Sequence, residues 1–169
     1  MDFEDELSDN ETETGSDELL SADNLRLPDS ANVLVRLHAI RAWLTRRQKE
    51  TAIEIGENAL TLQATMQEGD QSLHLRRRER EVLAERVQRA QAALQAAQLR
   101  LETYEEAETL LEDCIAHTTS GERVLVEYYL TLEELMSDPS TPEGTAAPRL
   151  HALADVQHRI EHVGAPNEE

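Results

Sequence analysis

The chain is expected to be all-α: an elongated coiled coil or an antiparallel helical hairpin or bundle, preceded by a disordered acidic N-terminal tail. Three observations lead there. Apolar residues recur every seven residues from Ala52 to Ile115, as they do in a helix that packs on another helix. Leu, Ala, Glu, Gln and Arg dominate the same stretch, and all five are strong helix formers. No segment shows the period-two alternation of a half-buried strand. With aromatics at 3% and a single Phe, a layered globular core is poorly supplied. A length of 169 residues suits one domain with tails.

Residues 1–29 hold eleven Asp or Glu against one Arg. Such a segment cannot bury enough apolar surface to offset its ordering entropy, so it reads as a disordered acidic tail. Its interleaved Phe3, Leu7, Leu19, Leu20, Leu25 and Leu27 also allow an amphipathic docking motif for a basic groove. Ser8 with Glu11, and Thr14 with Asp17, have the spacing of acid-directed phosphorylation sites.

Residues 30–117 read as one long coiled-coil helix or a helical hairpin. Pro28, Asp29 and Ser30 supply a break followed by a helix-start signal. The first apolar face is Val33, Leu37, Ile40 and Leu44, with Trp43 beside it. Eight residues rather than seven separate Leu44 from Ala52, which predicts a slip of the stripe across the polar run Thr45–Glu50. The seam then runs from Ala52 through Ile55, Ala59, Leu62, Met66, Gly69, Leu73, Arg76, Arg80, Leu83, Val87, Ala90, Leu94, Ala97, Leu101, Tyr104, Glu108, Leu111 and Ile115. Gly69 is ambiguous. The run MQEGDQS has turn chemistry, but the phase is the same on both sides of the glycine, and the favoured reading carries the helix through it.

A turn is expected near residues 118–121, with Thr119 and Glu122 at capping-box spacing. Residues 118–136 then read as a short capped helix with Leu125, Tyr129, Leu132 and Met136 on its face. The Tyr128–Tyr129 pair reads as packing back on the main helix. Residues 137–147 are a Pro-rich linker. Residues 148–164 form a final amphipathic helix that starts at Pro148, ends at Gly164 and shows Leu150, Leu153, Val156, Ile160 and Val163.

Composition removes several function classes. A formal charge of −19 disfavours nucleic acid and anionic lipid as partners. The basic runs Thr45–Lys49 and Leu75–Arg80 are short and read as solvated helix faces. The one cysteine, Cys114, supports neither an intrachain disulfide nor a cysteine metal cluster and reads as an inert thiol. His158 and His162 lie four apart in HRIEH. That is not the metalloprotease order HExxH, so they read as solvated helix-end residues. No nucleophile–base arrangement or phosphate-cradling loop is present. The chain is therefore read as non-enzymatic, with no catalytic residues, cofactor or metal and no membrane span. Its expected place is the cytoplasm, with a cytoskeletal or nuclear association.

The function suggested is that of a scaffold subunit binding other coiled-coil or helical proteins, as a homo- or hetero-oligomer. Its candidate partner-binding seam is Ile55, Leu62, Met66, Leu73, Arg76, Arg80, Leu83, Val87, Leu94, Leu101, Tyr104, Glu108, Leu111 and Ile115. Arg76, Arg80 and Glu108 would each meet a like charge in a parallel homodimer. An antiparallel pair of chains can place Arg76 opposite Glu108 and Arg80 opposite Tyr104. A partner helix carrying acids explains the same residues. In general character the chain looks like the small coiled-coil subunits of cytoskeletal, centrosomal, kinetochore and vesicle-tethering assemblies. The other reading is a regulatory adaptor that oligomerises through the coiled coil and recognises a basic partner with its acidic tail.

Overall fold

The computed structural model describes residues 30–72, 74–140 and 142–163. The expected tail with Ser8 and Thr14, the helix-start Asp29, the seam residue Leu73 and the helix-end Gly164 lie outside the described residues. The described residues form four helices and no strand: α1 (Ser30–Gln71), α2 (Arg77–His117), α3 (Gly121–Met136) and α4 (Glu143–His162).

The chain turns between Gln71 and Arg77, so the seam is not one continuous helix. Gly69 remains helical and the reversal follows it. Its carbonyl accepts the Ser72 N–H at 3.2 Å, tightening the last turn, and the Ser72 hydroxyl donates to the Glu68 carbonyl at 2.7 Å. Both bonds satisfy carbonyls that a helix end leaves free. Extended Arg76 begins α2. The Glu79 carboxylate accepts the Arg76 N–H at 2.8 Å, half of a capping box. Arg80 turns back and donates from Nε to the Leu75 carbonyl at 3.1 Å. These two arginines belong to the turn, which explains why an apolar seam tolerates them.

Cross contacts fix the direction of the pair. Gly69 approaches Leu83, Glu68 meets Arg86, Asn58 meets Ala93, Glu54 meets Arg100 and Arg41 meets Glu112. Numbers fall on α1 as they rise on α2, so the helices run antiparallel.

The buried apolar core is confined to one end of this pair, which we call the head. Val33, Leu37, Ile40 and Leu44 of α1 pack there with Tyr104, Ala107 and Leu111 of α2. Val124, Leu125, Tyr128 and Leu132 of α3, and Ala152, Leu153, Val156, Ile160 and Val163 of α4, complete the cluster. The first face of α1 is the predicted one. On α3 Leu125 and Leu132 are buried as expected, joined by Val124 and Tyr128. Tyr128, not Tyr129, is fully buried and donates its hydroxyl to the Ala107 carbonyl at 2.7 Å. Tyr129 stays at the rim and donates to Glu161 at 2.9 Å. Burial pushes the Tyr128 phenol strongly upward, because no charged form is tolerated there.

The two ends of the α3–α4 region also differ from expectation. Ser120, not Thr119, is the N-cap of α3, and its side chain makes no cap bond. Helix α4 starts at Glu143 rather than Pro148, shortening the linker, and holds Pro148 within its second turn. Ala146 and Ala147 favour helix, and Pro148 forfeits a single N–H there. Leu150 is exposed while Ala152 is fully buried, since a small side chain lets neighbouring helices approach closely. Cys114 is half-buried against the core. Burial pushes its thiol up, opposed by a hydrogen bond with Thr131, which makes it a poor nucleophile.

A polar lock joins α4 to the first two helices. Tyr104 donates its hydroxyl to Asp155 at 2.8 Å, and Arg47 pairs with the same carboxylate oxygen. The Arg47 guanidinium lies 5.7 Å from the Trp43 ring centre and 5.6 Å from that of Tyr104, within cation–π range. Trp43 meets Tyr104 edge-on at 6.1 Å. Arg47 was expected on a solvated face, but the TRRQK run supplies this inter-helix anchor instead. Arg149 adds a two-pronged pair with Glu106 at 2.5 and 3.1 Å.

Candidate functional site

Beyond the head, α1 and α2 continue as a two-helix arm. Its inward side on α1 is continuous with the head. The positions from Leu44 are Gln48, Thr51, Ile55, Asn58, Leu62, Thr65 and Gly69, all withdrawn from full exposure. Their spacing alternates four and three, so the predicted slip between Leu44 and Ala52 does not occur. Polar residues fill the places where apolar ones were sought. Gln48 donates to Glu108 at 2.7 Å, which accounts for the acid in the seam. The Thr51 and Thr65 hydroxyls donate back to the carbonyls of Arg47 and Thr61 at 2.7 and 2.8 Å. With the hydroxyls satisfied locally, both residues are buried.

On α2 the predicted phase holds. Leu83, Val87, Ala90, Leu94, Ala97 and Leu101 are half-buried or buried. Gly69 has a packing reason: a Cβ there would lie 3.1 Å from the Leu83 Cδ2.

The fourteen predicted seam residues therefore have different fates. Ile55, Leu62, Leu83, Val87, Leu94 and Leu101 are partly covered within the chain's own helix pair. Tyr104 and Leu111 are fully buried in the head, and Glu108 is held by Gln48. Arg76 and Arg80 are exposed at the turn. Only Met66 (50% exposed) and Ile115 (38%) among the described apolar members leave large side chains in solvent.

The arm carries a second apolar face that the heptad reading had folded into the first. Ile53 and Leu60 are 65% and 68% exposed. They stand one heptad apart on the back of α1, away from α2. Ala52, Gly56 and Ala59 flank them and Glu57 lies between them, all exposed. No ionisable side chain occurs from Asn58 to Gln67 on α1, or from Ala90 to Leu99 on α2. Glu54–Arg100 at 2.5 Å and Glu68–Arg86 at 3.1 Å bracket this uncharged middle. The signal was present in the sequence as the doublets Ala52–Ile53 and Ala59–Leu60. A single-seam template absorbs one member of each and passes over the other.

No described helix is long and apolar enough to cross a membrane. No family model, curated protein or solved structure matches the chain.

Proposed function

We propose that this protein is a non-enzymatic scaffold subunit of a multi-protein assembly of the cytoskeletal, centrosomal, kinetochore or tethering type. Its four-helix head is the folded anchor, and its arm binds a partner helix. The observation that carries this reading is the second apolar face of α1. A helix apolar on two sides is normally covered on both, and here α2 covers one. Ile53 and Leu60 provide the large contacts. Ala52, Gly56 and Ala59 between them let a partner backbone approach closely. The complement is an amphipathic helix presenting Leu- or Ile-type anchors at heptad spacing. Leu60 lies in the uncharged stretch, which limits the desolvation cost there, while the exposed Glu57 shares its face with Ile53 and Leu60.

The test is capture of a binding protein by the full chain, compared with an Ile53→Glu/Leu60→Glu double variant. Burying each of these side chains is worth roughly 1.5–3 kcal/mol, so the double variant is expected to lose binding by about a hundredfold or more while its helicity is unchanged. Undiminished capture by the folded variant removes the arm reading. The charge of residues 1–29 supports the adaptor reading, in which the acidic tail does the recognising. Loss of capture on deleting that segment, with the double variant still active, selects the adaptor.

A further inference from the structure

The C-terminal end of α4 gathers three side chains that the scaffold reading leaves without a role. His158, Glu161 and His162 each offer one ligand atom, and these atoms all lie within 4.8 Å of one another. The two imidazole rings are tilted against each other with centroids 4.0 Å apart. The His162 Nδ1–H donates to the His158 carbonyl at 2.7 Å. Since a carbonyl only accepts, that bond fixes the proton on Nδ1 and leaves the Nε2 lone pair free, as in oriented metal-binding histidines. Glu161 is held in the same manner from the neighbouring helix. Tyr129 donates to its Oε1 at 2.9 Å, which leaves the other oxygen available.

We propose that His158, Glu161 and His162 form a surface site for a divalent transition-metal ion of the Zn²⁺ class. Two imidazole nitrogens and one carboxylate oxygen are its usual donors. Ligands about 2.1 Å from a tetrahedral ion are roughly 3.4 Å apart, so modest rotation of solvent-facing side chains brings these three together. A bound ion would staple the last turn of α4 and, through Glu161 and Tyr129, tie it to α3. The hard ions Mg²⁺ and Ca²⁺ take oxygen-rich shells and are not expected to compete.

The experiment is titration of the full chain with Zn²⁺ by calorimetry, with thermal unfolding followed in parallel. One ion per chain is expected, with an unfolding temperature that climbs as Zn²⁺ is added. His158→Asn/His162→Asn is expected to abolish both effects. Tyr129→Phe, which removes only the orienting bond, is expected to weaken binding roughly tenfold. Helicity by circular dichroism checks that each variant is folded. No Zn²⁺ binding, or equal affinity in the wild type and the histidine double variant, overturns the proposal.

Discussion

Head and arm are built on the same two helices, yet different chemistry fills them. In the head, α1 and α2 are covered by α3 and α4, and nine large side chains from Val33 to Val156 fall below 2% exposure. In the arm, two helices have only each other, and the buried side chains between Thr51 and Ala97 are two threonines and an alanine. A helix pair can cover only a narrow stripe. Large residues placed there, such as Leu62 and Leu94, are only partly covered. The number of neighbours, more than the sequence pattern, sets how much burial each residue yields.

Deleting core volume gives the sharpest test of that contrast. Leu132→Ala in the head is expected to cost about 3 kcal/mol, and Leu94→Ala in the arm about 1 kcal/mol. Guanidinium denaturation followed by circular dichroism measures both, and equal costs would erase the distinction.

The polar lock comes next in size. Burial alone would raise the Asp155 carboxyl, but hydrogen bonds from Arg47 and Tyr104 outweigh it and hold it below the usual carboxylate range. A depressed folded value means stability that is present above the unfolded value, about 3.9, and lost as pH falls through the folded one. Tyr104 has the opposite sign. Burial and then its bond to Asp155 push the phenol up to about 12. Its contribution is intact below about pH 10 and disappears as pH rises through about 12. Asp155→Asn is expected to flatten the acid limb of a stability–pH curve and Tyr104→Phe the alkaline limb. The Arg47 and Asp155 side chains are 34% and 29% exposed, so Asp155→Asn at neutral pH is expected to cost about 1–2 kcal/mol, less than for a fully buried pair. Unchanged limbs in both variants would mean that the lock does not couple α4 to the rest.

The smallest effects belong to the arm's two glycines. An added Cβ at Gly56 meets nothing within 4 Å, so Gly56→Ala is expected to stabilise by roughly 1 kcal/mol. Gly69→Ala gains the same propensity but presses on Leu83 at 3.1 Å, so its net gain should be smaller. Equal shifts in thermal midpoint would deny Gly69 its packing role.

What could be read in advance follows from what each signal encodes. The all-α class, the first face of α1, the phase of α2 and the break before α3 rest on spacing, and spacing is local. The reversal after Gln71 was harder to see. Leu62, Met66 and Leu83 stay in phase across it, although Met66 is exposed while the other two are half-buried. The apolar template also placed the inner face one residue late in the arm. Thr51, Asn58 and Thr65 occupy it because their polar groups can be satisfied by nearby backbone. Met66 belongs to the predicted seam; the exposed Ile53 and Leu60 do not, because a single heptad template takes only one residue of each doublet.

By itself the sequence determined that the chain is helical, since propensity and periodicity act within a few turns, but not every place where a helix begins or ends. Tertiary structure alone decided which face of each helix is covered and which is left open. That choice depends on where α3 and α4 come to rest. It also depends on whether polar groups such as Gln48, Arg47 and Asp155 find one another, and these are separated by long stretches of chain.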